Sequence, residues 1–173
     1  ATLDNRRQYN APAYQLMLYE FKADLRAYFS TVSPELGMRS LEDLIAFNEA
    51  NADREMPYFG QEILIAANEM GPLMDPEYLR FKETARRLSQ DEGIDRLMEE
   101  HRLDAIVAPT TRAAWKTDLI NGGMSSLGSS SPAAISGYPS ITVPMGSVRG
   151  LPIGMLFFGS AWSEGRLIQL AYS

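Results

Sequence analysis

The hydrophobic pattern of this 173-residue chain changes at Leu103, and that change most constrains its fold. Before Leu103, apolar residues recur at spacings of three, four and seven, as they do along one face of a helix. After it, they form short unbroken runs bounded by Gly, Pro and Ser, a pattern typical of buried strands. We therefore expect an α/β chain forming one domain over residues 1–173, with a helical part over about 1–102 and a strand-containing part over about 103–173.

The helical part carries recognisable start signals. Ser40 is followed by acidic residues and predicts the N-cap of a helix, and Pro76 at a first helical position predicts the start of another. Residues 60–70 predict a short helix, and Ser89-Gln-Asp-Glu92 has the form of a capping box that opens a new helix. The first long helix is expected to bury one stripe, made of Tyr14, Met17, Leu18, Phe21, Leu25 and Tyr28.

Three apolar runs after Leu103 predict strands, at residues 105–108, 140–145 and 153–158. The short connection between the second and third predicts an antiparallel hairpin. Pro144 cannot donate a ladder hydrogen bond, which places its strand at an edge or beside a bulge. Ser163 is expected to cap a final helix. Residues 109–131 contain no convincing regular element.

Composition excludes several classes of function. The net charge of −6 argues against nucleic acid or an anionic membrane as the main partner, because both require basic patches. The chain has no cysteine and one histidine, which excludes thiolate metal sites and a histidine metal cluster. No apolar run reaches membrane-spanning length, and no phosphate-binding or nucleotide motif is present. We predict no metal, no cofactor and no membrane association.

A cluster of serines is the first candidate for chemistry: Ser125, Ser126, Ser129, Ser130 and Ser131. Because Pro132 follows Ser131, the favoured interpretation is a polar loop that caps a helix starting near Pro132. Ser129, Ser130 and Ser131 are retained as candidate substrate-binding residues at the entrance of a site.

Trp115, Asp118 and Asn121 form the second candidate group, an aromatic, a carboxylate and an amide within one loop. Such a group suits recognition of a polar substrate beside an apolar surface. The alternative is a tryptophan packed on the sheet and a surface turn at Asn121-Gly-Gly. Lys116 offers a base for a Ser/Lys dyad, although an exposed lysine paired with Asp118 is favoured. The other lysines, Lys22 and Lys82, are expected on solvated helix faces.

Three segments, taken in order, carry a resemblance to a known family. They are residues 45–60, which contain Phe-Asn-Glu-Ala-Asn-Ala-Asp-Arg-Glu-Met-Pro-Tyr-Phe-Gly; residues 104–110, which end in Ala-Pro-Thr; and residues 130–159, which contain Ser-Pro-Ala-Ala-Ile-Ser-Gly-Tyr-Pro. In this order and spacing, the chain resembles the C-terminal part of the amidase signature family. The segment ending at Gly60 is similar to the branch that contains bacterial peptide amidases.

The resemblance implies the C-terminal part of the amidase signature fold, with long N-terminal helices packed on a mixed β-sheet. It also implies a hydrolase that cleaves carboxamide C–N bonds of a small amide or peptide amide by a Ser-Ser-Lys mechanism. In that family the two serines, the lysine and the oxyanion-binding amides come from the N-terminal half. We therefore assign no catalytic residue to this chain and expect it to be inactive alone.

Two alternatives remain. One is a fragment of the A-type subunit of a glutamyl-tRNA amidotransferase; the other is a non-catalytic binding or assembly module that self-associates through an exposed sheet edge. The low basic content and the segment ending at Gly60 favour the hydrolase. A cytoplasmic location is expected, and a periplasmic or secreted one is left open if a signal precedes the chain.

Overall fold

The computed structural model describes residue 3 and residues 5–120 and 128–173. The helices are α1 (Arg6–Thr31), α2 (Leu41–Ala50), α3 (Ala52–Glu55), α4 (Glu62–Asn68), α5 (Pro76–Ser89), α6 (Arg96–Glu100), α7 (Ser131–Ser136) and α8 (Glu164–Tyr172). The strands are β1 (Ile106–Pro109), β2 (Ser140–Val148) and β3 (Leu151–Phe158). A 3-10 turn spans Pro34–Leu36, and a π-helical turn, Gln90–Asp95, joins α5 to α6. The predicted α/β class, with few strands, is confirmed.

The backbone divides into two compact units. One comprises Ala11–Glu83, and the other comprises the chain up to Asn10 together with Thr84–Ser173. Within the described ranges, no helix combines the length and apolarity that crossing a bilayer requires.

Helix α1 exists as predicted, but it buries a different set of side chains. Leu18, Tyr19 and Phe29 are at most 5% exposed, and Leu18 belongs to a core cluster with Leu41 and Ala67. The predicted stripe is wrong for four of its members, which are 38–60% exposed: Tyr14, Met17, Phe21 and Tyr28. Apolar residues occur on several sides of this helix, so their spacing alone is consistent with more than one inward face.

The start of α2 confirms the predicted cap. The Asp43 backbone N–H donates to Ser40 Oγ over 3.2 Å, and the Asp43 carboxylate accepts from the Arg39 backbone N–H at 2.8 Å. The Ser40 hydroxyl donates to the same carboxylate at 3.0 Å. These donors, the Arg39 amide first, hold the pKa of Asp43 below its usual range. The groups around the cap therefore favour the ionised form of Asp43.

The expectation that Lys22 lies on a solvated face is wrong. Its side chain is half-buried, and its Nζ donates to the carbonyl oxygens of Asn68 and Met70, both at 2.6 Å. These carbonyls lie at the end of α4, where the last turn leaves acceptors without helical partners and where positive charge is favourable. α4 itself is shorter at both ends than the predicted helix.

The predicted capping box at Ser89 is also wrong. Ser89 is 1% exposed in helical conformation, and its hydroxyl donates back to the Arg86 carbonyl at 3.4 Å. The chain continues from α5 through the π-helical turn instead of starting a new helix. A β-carbon on Gly93 would lie 2.6 Å from the Leu88 carbonyl oxygen, so this turn requires glycine at that position.

The side chain of Asn5 supports the π-helical turn. Its Nδ2 donates to the Leu88 carbonyl at 2.6 Å and to the Glu92 carbonyl at 3.0 Å. One side chain from the N-terminal segment of the unit therefore binds a carbonyl of α5 and a carbonyl of the π-helical turn.

The sheet has the order β1-β3-β2, and every described strand pair is antiparallel. Arg149 and Gly150, both with positive φ, form a two-residue turn between β2 and β3, as in type I′ hairpins. The hairpin prediction is confirmed. So is the placement of Pro144, because β2 lies at one edge of this sheet and its register shifts between Pro144 and Gly146.

The core of this unit consists of Ile94 from the π-helical turn, Ala133 from α7, and Leu156 and Phe158 from β3. Two helical elements thus pack on the central strand. Ser163 does occupy the N-cap position of α8, but its hydroxyl donates to the Ser160 carbonyl at 2.7 Å and makes no cap bond.

Candidate substrate-binding site

A junction of two threonines and a glycine lies where β1 ends. The Thr110 backbone N–H donates to the Gly154 carbonyl at 2.8 Å, and the hydroxyls of Thr110 and Thr142 are 2.5 Å apart. A β-carbon on Gly154 would lie 2.7 Å from the Thr142 hydroxyl and 2.8 Å from that of Thr110. The missing side chain of Gly154 therefore makes room for the two hydroxyls to meet across the central strand.

The three candidate serines follow directly from this junction. The Ser129 backbone N–H donates to the Thr110 carbonyl at 3.0 Å, which ties the loop to the end of β1. Ser130 occupies the N-cap position of α7, and Ser131 is the first residue of that helix. The expectation that Ser131 precedes the helix and caps it is wrong, because the helix begins one residue earlier than the proline predicts and Ser130 makes no cap bond.

The hydroxyl groups of Ser129, Ser130 and Ser131 form no hydrogen bond to any residue that the structure describes. Ser130 is exposed, and Ser129 and Ser131 are half-buried. A run of three hydroxyls on a backbone that is itself anchored is able to donate to and accept from a polar ligand. Their assignment to substrate binding stays a prediction.

The far end of α7 is bound to the π-helical turn. Gln90 Nε2 donates to the Ser136 carbonyl at 2.7 Å, and the Tyr138 hydroxyl donates to Asp95 Oδ2 at 2.5 Å. Burial, followed by the hydrogen bond to Asp95, raises the pKa of Tyr138. The phenol therefore stays protonated and remains a donor at physiological pH. Gly137, with φ of 73°, ends α7 in the left-handed conformation that favours glycine.

The second predicted group is only partly placed. Trp115 is 43% exposed, and Asp118 accepts from the Ile120 backbone N–H at 2.9 Å, so its carboxylate organises a local turn. Lys116 is exposed. Asn121 lies outside the described residues, as do Ser125 and Ser126 of the serine cluster. Substrate binding by Trp115, Asp118 and Asn121 stays a prediction.

The sequence did not predict two features that position residues 129–131. The first is the contact between Thr110 and Thr142, and the second is the pair of hydrogen bonds that join α7 and Tyr138 to the π-helical turn. For the threonine contact, the sequence signal was Gly154, an isolated glycine inside a strand pattern, which indicates close backbone approach. For the hydrogen bonds of Gln90 and Tyr138, the sequence pattern contained no signal.

A cavity of about 430 Å³ is present in the unit Ala11–Glu83, lined by residues that include Asn48, Glu55, Phe59 and Glu62. Asn48 Nδ2 donates to Gln61 Oε1 at 3.1 Å, and Gln61 Nε2 donates to the Ile45 carbonyl at 3.2 Å. These bonds join Gln61, the residue before α4, to two residues of α2, which is a structural role.

The described residues contain no group of three or more His, Asp or Glu side chains arranged to hold a metal ion.

Comparison with known proteins identifies the scaffold. The profile of the Amidase family matches residues 2–168. A probable amidase from Arabidopsis thaliana is 37% identical over 161 residues, which cover 91% of this chain and 27% of the plant protein. This chain therefore spans about a quarter of that relative's length.

Two solved structures are similar along nearly the whole chain. The crystal structure of PAM12A is 49% identical with a TM-score of 0.92, and the match covers 98% of this chain and 34% of that one. The peptide amidase PAM, in complex with the competitive inhibitor chymostatin, is 48% identical with a TM-score of 0.87, covering 97% of this chain and 34% of PAM. Family profile, sequence identity and fold agree, and the chain belongs to the amidase signature family, in its peptide amidase-like branch.

Proposed function

We propose that this chain is the C-terminal domain, over residues 1–173, of an amidase signature hydrolase that cleaves carboxamide C–N bonds. The observation that carries the proposal is the agreement of fold and sequence with PAM12A and PAM along nearly the whole chain. Because PAM is named as a peptide amidase, the proposed substrate is a peptide amide, from which hydrolysis releases ammonia and a carboxylic acid.

In this proposal the nucleophilic serine, the bridging serine and the lysine lie upstream of the chain. The lysines described here support that division. Lys22 donates to two main-chain carbonyls, and Lys82 lies 5.7 Å from the centre of the Tyr78 ring. Lys22 is engaged as a cation, and Lys82 and Lys116 are exposed, whereas a serine–lysine pair requires a lysine held within hydrogen-bond reach of its serine.

The contribution of this chain is then one wall of the substrate channel. The hydroxyls of Ser129, Ser130 and Ser131 supply hydrogen-bonding groups, Trp115 supplies apolar surface, and Asp118 supplies a carboxylate. Such a wall aligns the amide relative to a nucleophile without taking part in bond cleavage. Asn121 belongs to the same proposed group.

The test is ammonia release from an N-acylated dipeptide amide, measured for the full-length protein and for this chain alone at equal concentration. We expect turnover by the full-length protein and none by the chain. A Lys116→Ala variant of the isolated chain serves as the control for a hidden dyad. If the isolated chain releases ammonia and Lys116→Ala abolishes this activity, the catalytic residues do not all lie upstream. If the full-length protein releases no ammonia, the proposed activity is wrong.

A further inference from the structure

The backbone around the three serines is held at both ends, although their hydroxyls are not. At the entry, Ser129 is bound to Thr110, whose hydroxyl meets that of Thr142. At the exit, the hydrogen bonds of Gln90 and Tyr138 bind the end of α7 to the π-helical turn. A short helix of six residues has little stability of its own, so its orientation depends on such external bonds.

The π-helical turn is a rare conformation with a sequence requirement of its own. It needs glycine at position 93, where a β-carbon would meet the Leu88 carbonyl oxygen at 2.6 Å. Asn5, from the first segment of the unit, donates to the carbonyls of Leu88 and Glu92. Single π turns inside α-helices occur frequently at functional sites.

The wider turn brings two polar side chains toward α7. Gln90 is its first residue and Asp95 its last, and these two residues make the bonds to Ser136 and Tyr138. Between them on the same turn, Ile94 is fully buried in one cluster with Ala133 of α7. The π-helical turn thus contacts α7 and the residues after it through two hydrogen bonds and one apolar contact between them.

We propose that the π-helical turn Gln90–Asp95 is a positioning element for substrate, in which Gln90 and the Asp95–Tyr138 pair fix α7 so that the hydroxyls of Ser129, Ser130 and Ser131 face a bound peptide amide. Gln90, Asp95 and Tyr138 are positioning residues and act only through the serines. The inference rests on the proposed function.

The first measurement uses steady-state kinetics of the full-length amidase with the N-acylated dipeptide amide. Tyr138→Phe removes only the hydroxyl that donates to Asp95, and we expect it to raise KM by about three- to tenfold, the effect of one net hydrogen bond, with kcat within about twofold. Tyr28→Phe is the matched control, because Tyr28 is 60% exposed, and it is expected to match the wild type. Gln90→Met provides a second route to the same loss if Tyr138→Phe fails to fold.

The deciding measurement is a double-mutant cycle. In a background with Ser129, Ser130 and Ser131 all changed to Ala, the effect of Tyr138→Phe on KM is expected to disappear, because positioning residues have nothing left to position. A KM effect of equal size in both backgrounds overturns the inference, as does an unchanged KM in Tyr138→Phe and Gln90→Met.

Hydrogen exchange separates this inference from the proposed function, since it does not depend on turnover. We expect the backbone amides of residues 129–137 to exchange faster in Tyr138→Phe than in Tyr28→Phe. Unchanged exchange overturns the inference even if the enzyme is active. Faster exchange in a full-length protein without amidase activity supports the mechanical link and contradicts the proposed reaction.

Discussion

Replacing Gly93 with alanine tests whether the π-helical turn is obligatory. The new β-carbon would lie 2.6 Å from the Leu88 carbonyl oxygen and 3.5 Å from its carbon, and both atoms belong to the backbone. A backbone carbonyl is unable to rotate away as a side chain does, so the turn itself must shift. Forcing a methyl group into a filled site costs about 1–3 kcal/mol, whereas removing a helical glycine gains about 0.5–1 kcal/mol.

The clash exceeds the gain, so we expect Gly93→Ala to lower the free energy of unfolding by about 1–2 kcal/mol. For a chain of this size, the melting temperature would fall by about 2–8 °C. Urea titration followed by circular dichroism measures the difference directly.

Gly165→Ala is the matched control. Gly165 lies in α8, where a β-carbon would meet no atom within 4 Å. Here only the gain from removing glycine remains, so this variant is expected to be as stable as the wild type or up to about 1 kcal/mol more stable. If Gly93→Ala behaves like Gly165→Ala, the π-helical turn does not require glycine, and the reasoning about its geometry is wrong.

Two further predictions concern the other unit. Lys22→Met removes two charged hydrogen bonds from the end of α4 and leaves the carbonyls of Asn68 and Met70 without this donor. We expect it to lower the free energy of unfolding by about 1.5–3 kcal/mol. The control Lys116→Met, at an exposed position, is expected to lower it by less than about 0.5 kcal/mol. Asp43 has its pKa lowered in the folded state, so its contribution to stability is fully present above its unfolded pKa, about 3.9, and is lost as the pH falls through the folded value. We expect Asp43→Asn to weaken the dependence of urea midpoints on pH below about pH 4, and identical acid profiles for variant and wild type would contradict this.

Local signals in the sequence were sufficient for much of the fold. Ser40 and Pro76 mark helix starts because a cap involves only residues within one turn. The β2–β3 hairpin and the irregularity beside Pro144 were also predictable, but the predicted connection over residues 146–152 is a two-residue turn, because β2 extends to Val148 and β3 begins at Leu151. The family followed from the order of the segments, which the comparisons confirm.

The failures share a physical cause, which is dependence on distant residues. The segment Ser89-Gln-Asp-Glu92 has the sequence of a capping box. The chain nevertheless continues as a helix there, and the side chain of Asn5 donates to the carbonyl of Leu88, 83 residues away. The Thr110–Thr142 contact joins residues 32 positions apart. Lys22 likewise meets carbonyls 46 and 48 positions away. Ser129 and Ser130 were placed correctly outside regular structure, whereas the elements that hold them arise from tertiary contacts.

The strand order has a consequence for how the chain acquires its structure. β3 lies in the middle of the sheet but comes last of the three strands in the sequence, so β1 has no neighbour until synthesis has passed Phe158. The β2–β3 hairpin closes over two residues and is expected to form within about 1–10 microseconds, and β1 then has to close a loop of about 40 residues to join it. Residues 129–131 lie within the loop that closes when β1 joins the hairpin. We therefore expect the hydrogen bond between Ser129 and Thr110 to be among the last to form during folding and among the first to open under denaturing stress.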